Sequence, residues 1–261
     1  MTILETDYLK QLRALRPLFQ TVPAITDQID MITSICLDLA QKRLPQHSLH
    51  PLGLEETTYL AAMVALGQQQ GFRDFKTQTT TLHRLDQLLR NFRSFVAQRF
   101  GIWALLNQTF LKRWVQVFPK LNYLEIMAGN GLFSYGLTQL GQSSIATDDL
   151  SWGKSSPTAR DFWLPVQSLN AIEAIKRYGG QVDAVVMIWS QDKNPIDYQV
   201  LKTFRQVMPT KYFFVIGEKF GATNSQQFWQ QAHFLDSKAL ARLNKLYPRF
   251  DLIQDQVYLV Q

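Results

Sequence analysis

Within residues 122–140, NYLEIMAGNGLFSYGLTQL, a carboxylate stands just ahead of two closely spaced glycines. Glu125 is followed by Met127, Ala128, Gly129, Asn130 and Gly131, and an acidic pair, Asp148 and Asp149, comes about twenty residues after the glycines. Glycine lets a turn take positive φ and lets backbone approach a ligand with no Cβ in the way. A carboxylate at that later distance can accept both hydroxyls of a ribose. Trp152 follows closely and can stack on an adenine or line the cleft. These residue types at this spacing point to a nucleotide-like cofactor.

The elements that would position them are legible on either side. Tyr123, Leu124, Glu125 and Ile126 make the short run that fills a buried parallel strand. Leu132, Phe133, Leu137 and Leu140 resume at helical spacing. Strand, glycine turn and helix are the context in which such a motif carries chemistry. The first N–H groups of the helix point at the same spot. A dinucleotide fingerprint wants a third glycine, and Ser134 stands there instead. An acid closing the strand would repel a pyrophosphate, but it suits a ligand carrying an ammonium and a sulfonium.

In these residues the stretch resembles motif I of the class I S-adenosylmethionine-dependent methyltransferases, with Met127 in place of that family's first glycine. The resemblance covers roughly residues 100–261. It implies S-adenosyl-L-methionine as cofactor, held by Glu125, Met127, Ala128, Gly129, Asn130 and Gly131, with Asp148 ahead of Asp149 at the ribose. Trp152 and Trp189 complete the expected cofactor set. The family places substrate-facing residues where Met187 to Asp192 stand. Its amino-group methylating members carry Asn/Asp-Pro-Pro-aromatic there, and this chain reads Trp189, Ser190, Gln191, Asp192, so that activity is not supported. Glu218, closing a later strand, and Asp192 are the candidate catalytic residues; Glu218 can equally cap the next turn.

Composition sets the outer bounds. With 46% hydrophobic and 18% charged residues the chain can build a sizeable core. It opens on acids rather than a basic leader, and no apolar run is long enough to span a bilayer. A single cysteine, Cys36, excludes an internal disulfide and fits a reducing cytoplasm; its apolar neighbours make it a core residue. The net charge of +6 is uneven: residues 1–120 carry 14 Lys+Arg against 9 Asp+Glu, and residues 121–261 carry 13 against 12. The bases are scattered and gather into no long run, as on a solvated helical surface. The substrate is left as a small molecule or RNA, with no membrane partner.

Residues 1–118 show helical periodicity nearly throughout, including a stripe at Leu9, Leu12, Leu15 and Leu18. A second helix carries Ile29, Ile32, Ile35 and Leu39, with Thr26 and Asp27 as its cap. His47 and His50 fall in a proline-bracketed loop read as surface rather than metal site. The clearest helix runs from Leu82 to Val96, with Arg84, Arg90 and Arg93 on its polar face. Beyond 119, strands and helices alternate, with a strand at Phe162–Val166 despite Pro165 and a closing hairpin of Phe250–Ile253 and Val257–Val260. The expected fold is α/β: an N-terminal all-α domain over 1–118, a cap from which Phe100 or Trp103 can reach the cofactor, then a Rossmann-like seven-stranded methyltransferase sheet over 119–261. An NAD(P)-dependent oxidoreductase and a non-catalytic scaffold are the rivals.

Overall fold

The structure, a computed structural model, describes residues 2–46, 48–151 and 161–261. Its centre is a mostly parallel sheet of six strands in the order β3-β2-β1-β4-β5-β6. They are β1 (Asn122–Ile126), β2 (Ser143–Asp148), β3 (Val166–Ser168), β4 (Ala184–Ile188), β5 (Tyr212–Gly217) and β6 (Gln256–Val260). Only β6 runs antiparallel, against β5. Strand order reverses between β1 and β4, so a crevice opens at the carboxyl ends of those two neighbours.

Alternation along the strands sorts two apolar faces. Tyr123, Ala184, Val186, Phe214 and Ile216 point to the front. Leu124, Ile126, Val185, Met187, Phe213 and Val215 point to the back. The back is covered by α8 (Ala171–Tyr178), α9 (Ile196–Val207) and α10 (Gln226–Gln231). The front carries α6 (Gln108–Val117), α7 (Leu132–Gln139) and α11 (Lys238–Asn244). Over these lie α1 (Asp7–Leu15), α2 (Pro23–Ala40), α3 (Glu56–Gly67), α4 (Phe75–Arg90) and α5 (Phe92–Phe100). The front apolar cluster is continuous from the first helices to the sheet, through Trp114, whose ring meets Phe110, Phe133 and Phe214. Cys36 lies fully inside it, and burial pushes its thiol up to about 12.

Several expectations change. The sheet has six strands rather than seven among the described residues, and there is no closing hairpin. Residues 250–253 form no strand, because Asp251 is drawn to Arg93 instead. The outer edge of β6 is met by residues 233–235, reduced to an isolated bridge between Phe234 and Val260. The strand sought at Phe162–Val166 begins where that segment ends, at Val166, past the obstructing Pro165. The second helix starts at Pro23, in the first turn where proline's missing N–H costs nothing, so Thr26 is inside it rather than its cap. The long fourth helix breaks at Asn91 into α4 and α5. That break rotates Arg93 out of the solvent-facing row and into the interior. No described helix is long and apolar enough to cross a membrane.

Candidate functional site

The chain leaves β1 through Met127, whose φ of 53° lies in the left-handed region that favours glycine. The residue type thus departs from the motif while the backbone adopts the conformation a glycine would take most easily. Its side chain packs on the back cluster. Ala128 donates its N–H to Thr147 O at 3.0 Å, binding the turn to β2. Gly129, at φ 56°, is the open point: a Cβ built there would meet no atom within 4 Å. Gly131 is the opposite case, since its Cβ would lie 2.5 Å from Leu164 Cδ2. One glycine keeps space clear and the next permits packing.

Two of the acids expected at the ligand, Glu125 and Asp148, also brace the turn itself. Glu125 is buried under α7, where its Oε2 accepts the Ser134 N–H at 2.9 Å. Burial pushes its carboxyl up to about 7, only partly offset by Ser134. Asp148, also buried, accepts the Gly129 N–H on Oδ2 at 2.8 Å and the Leu150 N–H on Oδ1 at 2.7 Å. Asp149 is exposed, with Oδ1 accepting the Ser151 N–H at 2.9 Å. The buried Asn130 donates through Nδ2 to Phe100 O at 2.9 Å, and its own carbonyl accepts the Trp163 N–H at 2.9 Å. The helical layer therefore touches the turn through a Phe100 carbonyl. Trp152 lies outside the described residues, as does His47 of the histidine pair.

A second group gathers where β4, β5 and β6 meet. Trp189, also at positive φ (53°), donates its indole N–H to the Asp255 carboxylate at 3.0 Å. The Arg93 guanidinium lies 4.7 Å from the Trp189 ring and 4.7 Å from that of Phe250. Arg93 pairs with Asp251, lies 3.3 Å from Asp255 and donates to Trp103 O at 2.8 Å. Burial pushes the Asp255 carboxyl up to about 6, outweighing Arg93, whose charge is shared with Asp251. Sequence reasoning missed Arg93, Asp251 and Asp255, because only the break at Asn91 turns the arginine inward. Glu218 accepts the Ala222 N–H on Oε2 and the Gln254 N–H on Oε1, each at 2.8 Å, and so ties two loops. Asp192 is half-buried, 3.7 Å from the exposed Lys193. The turn and the tryptophan group thus occupy neighbouring strand ends, while Glu218 and Asp192 have structural partners.

A nearly all-parallel sheet with a reversal of strand order, a glycine turn at that reversal and an antiparallel last strand define a Rossmann-like α/β protein. No protein-family model matches the sequence, and no curated protein matches it. Among solved structures, TehB from Haemophilus influenzae is similar at 10% identity with a TM-score of 0.39. That similarity covers 65% of this chain and 66% of TehB, just under two thirds of its length. Assignment of the site rests on its own geometry.

Proposed function

We propose that this chain is an S-adenosylmethionine-dependent methyltransferase acting on an acceptor presented at the ends of β4 and β5. The observation that carries the reading is the turn from β1 into α7 at the sheet's reversal point, with open space above Gly129. The residues present fit the cofactor: open space above the Gly129 backbone at the strand end, and an exposed carboxylate one residue past β2. Glu125 and Asp148 would shape the turn, Gly129 would let the ligand lie against backbone, and Asp149 would accept the ribose hydroxyls. The bound cofactor would supply an already activated methyl group. The chain's task would then be alignment and exclusion of water, and alignment alone can contribute roughly 7–11 kcal/mol. No side chain need take a proton unless the acceptor arrives protonated.

Calorimetric titration with S-adenosylmethionine and S-adenosylhomocysteine, with NADH as control, tests the reading. Micromolar binding of the first two is expected. Asp149→Ala should weaken it about tenfold or more with the fold intact, as expected for losing a charge-assisted contact. Binding of NADH alone, or of none of the three by folded protein, would reject the reading. Cofactor binding without methyl transfer to any acceptor would favour the scaffold role.

A further inference from the structure

Large apolar side chains are expensive to leave in water, and several left there together mark a binding surface. Trp103, in the segment joining α5 to α6, is 60% exposed, although its ring stacks on Trp189 with centroids 6.1 Å apart and planes at 25°. Phe220, just beyond β5, is also 60% exposed, and Leu252, in the loop leading into β6, is 79% exposed. The bond from the Gln254 N–H to Glu218 joins those two loops at one rim. Behind the rim, Trp189 is fixed by its indole bond to Asp255 and by the Arg93 guanidinium against its ring. The backbone carbonyl of Trp103 accepts from the same Arg93 at 2.8 Å. A fixed ring thus backs an exposed ring at the strand ends beside the glycine turn.

We propose that Trp103 and Trp189 form the wall of an acceptor subsite for a planar aromatic or heteroaromatic ring, which stacks on Trp103. A broad indole face held at a set angle favours flat, polarisable rings over saturated ones of the same size. Stacking of this kind accepts any ring with a π face, whether free or carried as a base in single-stranded nucleic acid. Next along the chain from Trp189, Ser190 Oγ and both polar atoms of the Asn224 amide are buried with no hydrogen-bond partner among the described residues. Ser190 O accepts the Asn224 N–H at 2.8 Å, so the two backbones meet just past Trp189. Calling the ring an acceptor rests on the methyltransferase reading; the ring site itself does not.

The test uses the full chain with S-adenosylhomocysteine at saturation, so that rings cannot occupy the cofactor cleft. Indole, quinoline and cytidine are titrated against cyclohexanecarboxamide, with tryptophan fluorescence and calorimetry as readouts, and a ten-nucleotide single-stranded RNA forms a separate arm. The planar probes are expected to bind and the saturated amide not to bind. Trp103→Ala should cost at least about tenfold and Trp103→Phe should restore most of it. Tighter binding of the RNA than of cytidine would assign the ring to nucleic acid; equal binding would assign it to a free molecule. Trp103→Ala without effect, saturated and planar probes binding alike, or no probe binding would each overturn the subsite. Failure of S-adenosylhomocysteine to bind would strike the cofactor reading alone, since the dependence of ring binding on Trp103 is then read in its absence.

Discussion

Glu125 shows how a single residue can be chemically apt for a ligand and still spend its bonding on the fold. Its carboxylate sits at the start of α7 with Ser134 as partner, and burial lifts its carboxyl from an ordinary 4.5 to about 7. A folded-state value above the unfolded one means that the native chain holds the proton more tightly. Stability from this group is therefore complete below about 4.5 and is lost as pH rises through 7. The loss is roughly 3 kcal/mol, at 1.36 kcal/mol per unit. Glu125→Gln keeps an oxygen for the Ser134 N–H and removes the charge. Urea unfolding should find the variant more stable than the parent at pH 8 and nearly equal to it at pH 4.5. The difference between the two chains cancels the opposing acids, such as Asp30 and Asp183, whose carboxyls are held low by Arg16 and by the Asn122 N–H. A gap of the same size at both pH values would show that Glu125 is not titrating in the fold. Met127 makes the complementary case, a non-glycine residue holding the left-handed backbone at a cost of about 1–2 kcal/mol.

At the scale of elements, what the sequence revealed was whatever repeats or punctuates. The parallel strands from β1 to β5, apart from the displaced β3, announce themselves as short apolar runs, and an acid or glycine closes β2 and β5. Asn170 and Ser237 stand where helix caps belong, each accepting an N–H three residues on. The glycine turn and its partner acids were legible because their spacing is local. The rest was not, because it depends on partners far along the chain. Arg93 and Asp251 are 158 residues apart, and nothing near either one announces the other. The same holds for the sheet edge. Beyond the bridge at Phe234, Val257 would present its N–H and C=O unpaired, but the Asn244 side-chain amide accepts the first at 2.8 Å and donates to the second at 2.9 Å. A single side chain thus stands in for a neighbouring strand and blunts an edge that would invite pairing with another chain. Asn244→Ala removes both bonds and should cost about 2 kcal/mol, at roughly 1 kcal/mol for each. Its midpoint in thermal unfolding should fall, and light scattering should rise with protein concentration. A loss below about 0.5 kcal/mol without association would mean that water replaces the amide freely.

For the whole molecule, the decisive contact is between the first 118 residues and the front of the sheet. Periodicity separates a helical half from an alternating half at that point, yet the apolar cluster crosses it without a gap. Trp114 rests on Phe214 and donates its indole N–H to the Tyr123 hydroxyl at 3.1 Å. Polar links run the same way: Lys42 meets Asp161 at 2.5 Å and donates to Phe162 O at 2.6 Å, and the Leu52 N–H bonds Phe250 O at 2.8 Å. Removing residues 1–118 would strip α6 and the helices over it from the front face, leaving only α7 and α11 to cover Tyr123, Val186, Phe214 and Ile216, all fully buried in the intact chain. At about 1.5–3 kcal/mol for each large side chain fully exposed, the lost burial reaches at most roughly 6–12 kcal/mol. Domains of ordinary stability have about 5–15 kcal/mol in total. The chain 119–261 alone should therefore lack a fixed core: near-ultraviolet circular dichroism is expected to be flat, dye binding to exposed apolar surface strong, and urea unfolding broad. The full chain should unfold in one transition, because its glycine turn is clasped by Asn130 to the carbonyl of Phe100 on the other side of the boundary. A sharp, cooperative transition for 119–261 would show instead that the sheet carries its own core and that the helices merely rest on it.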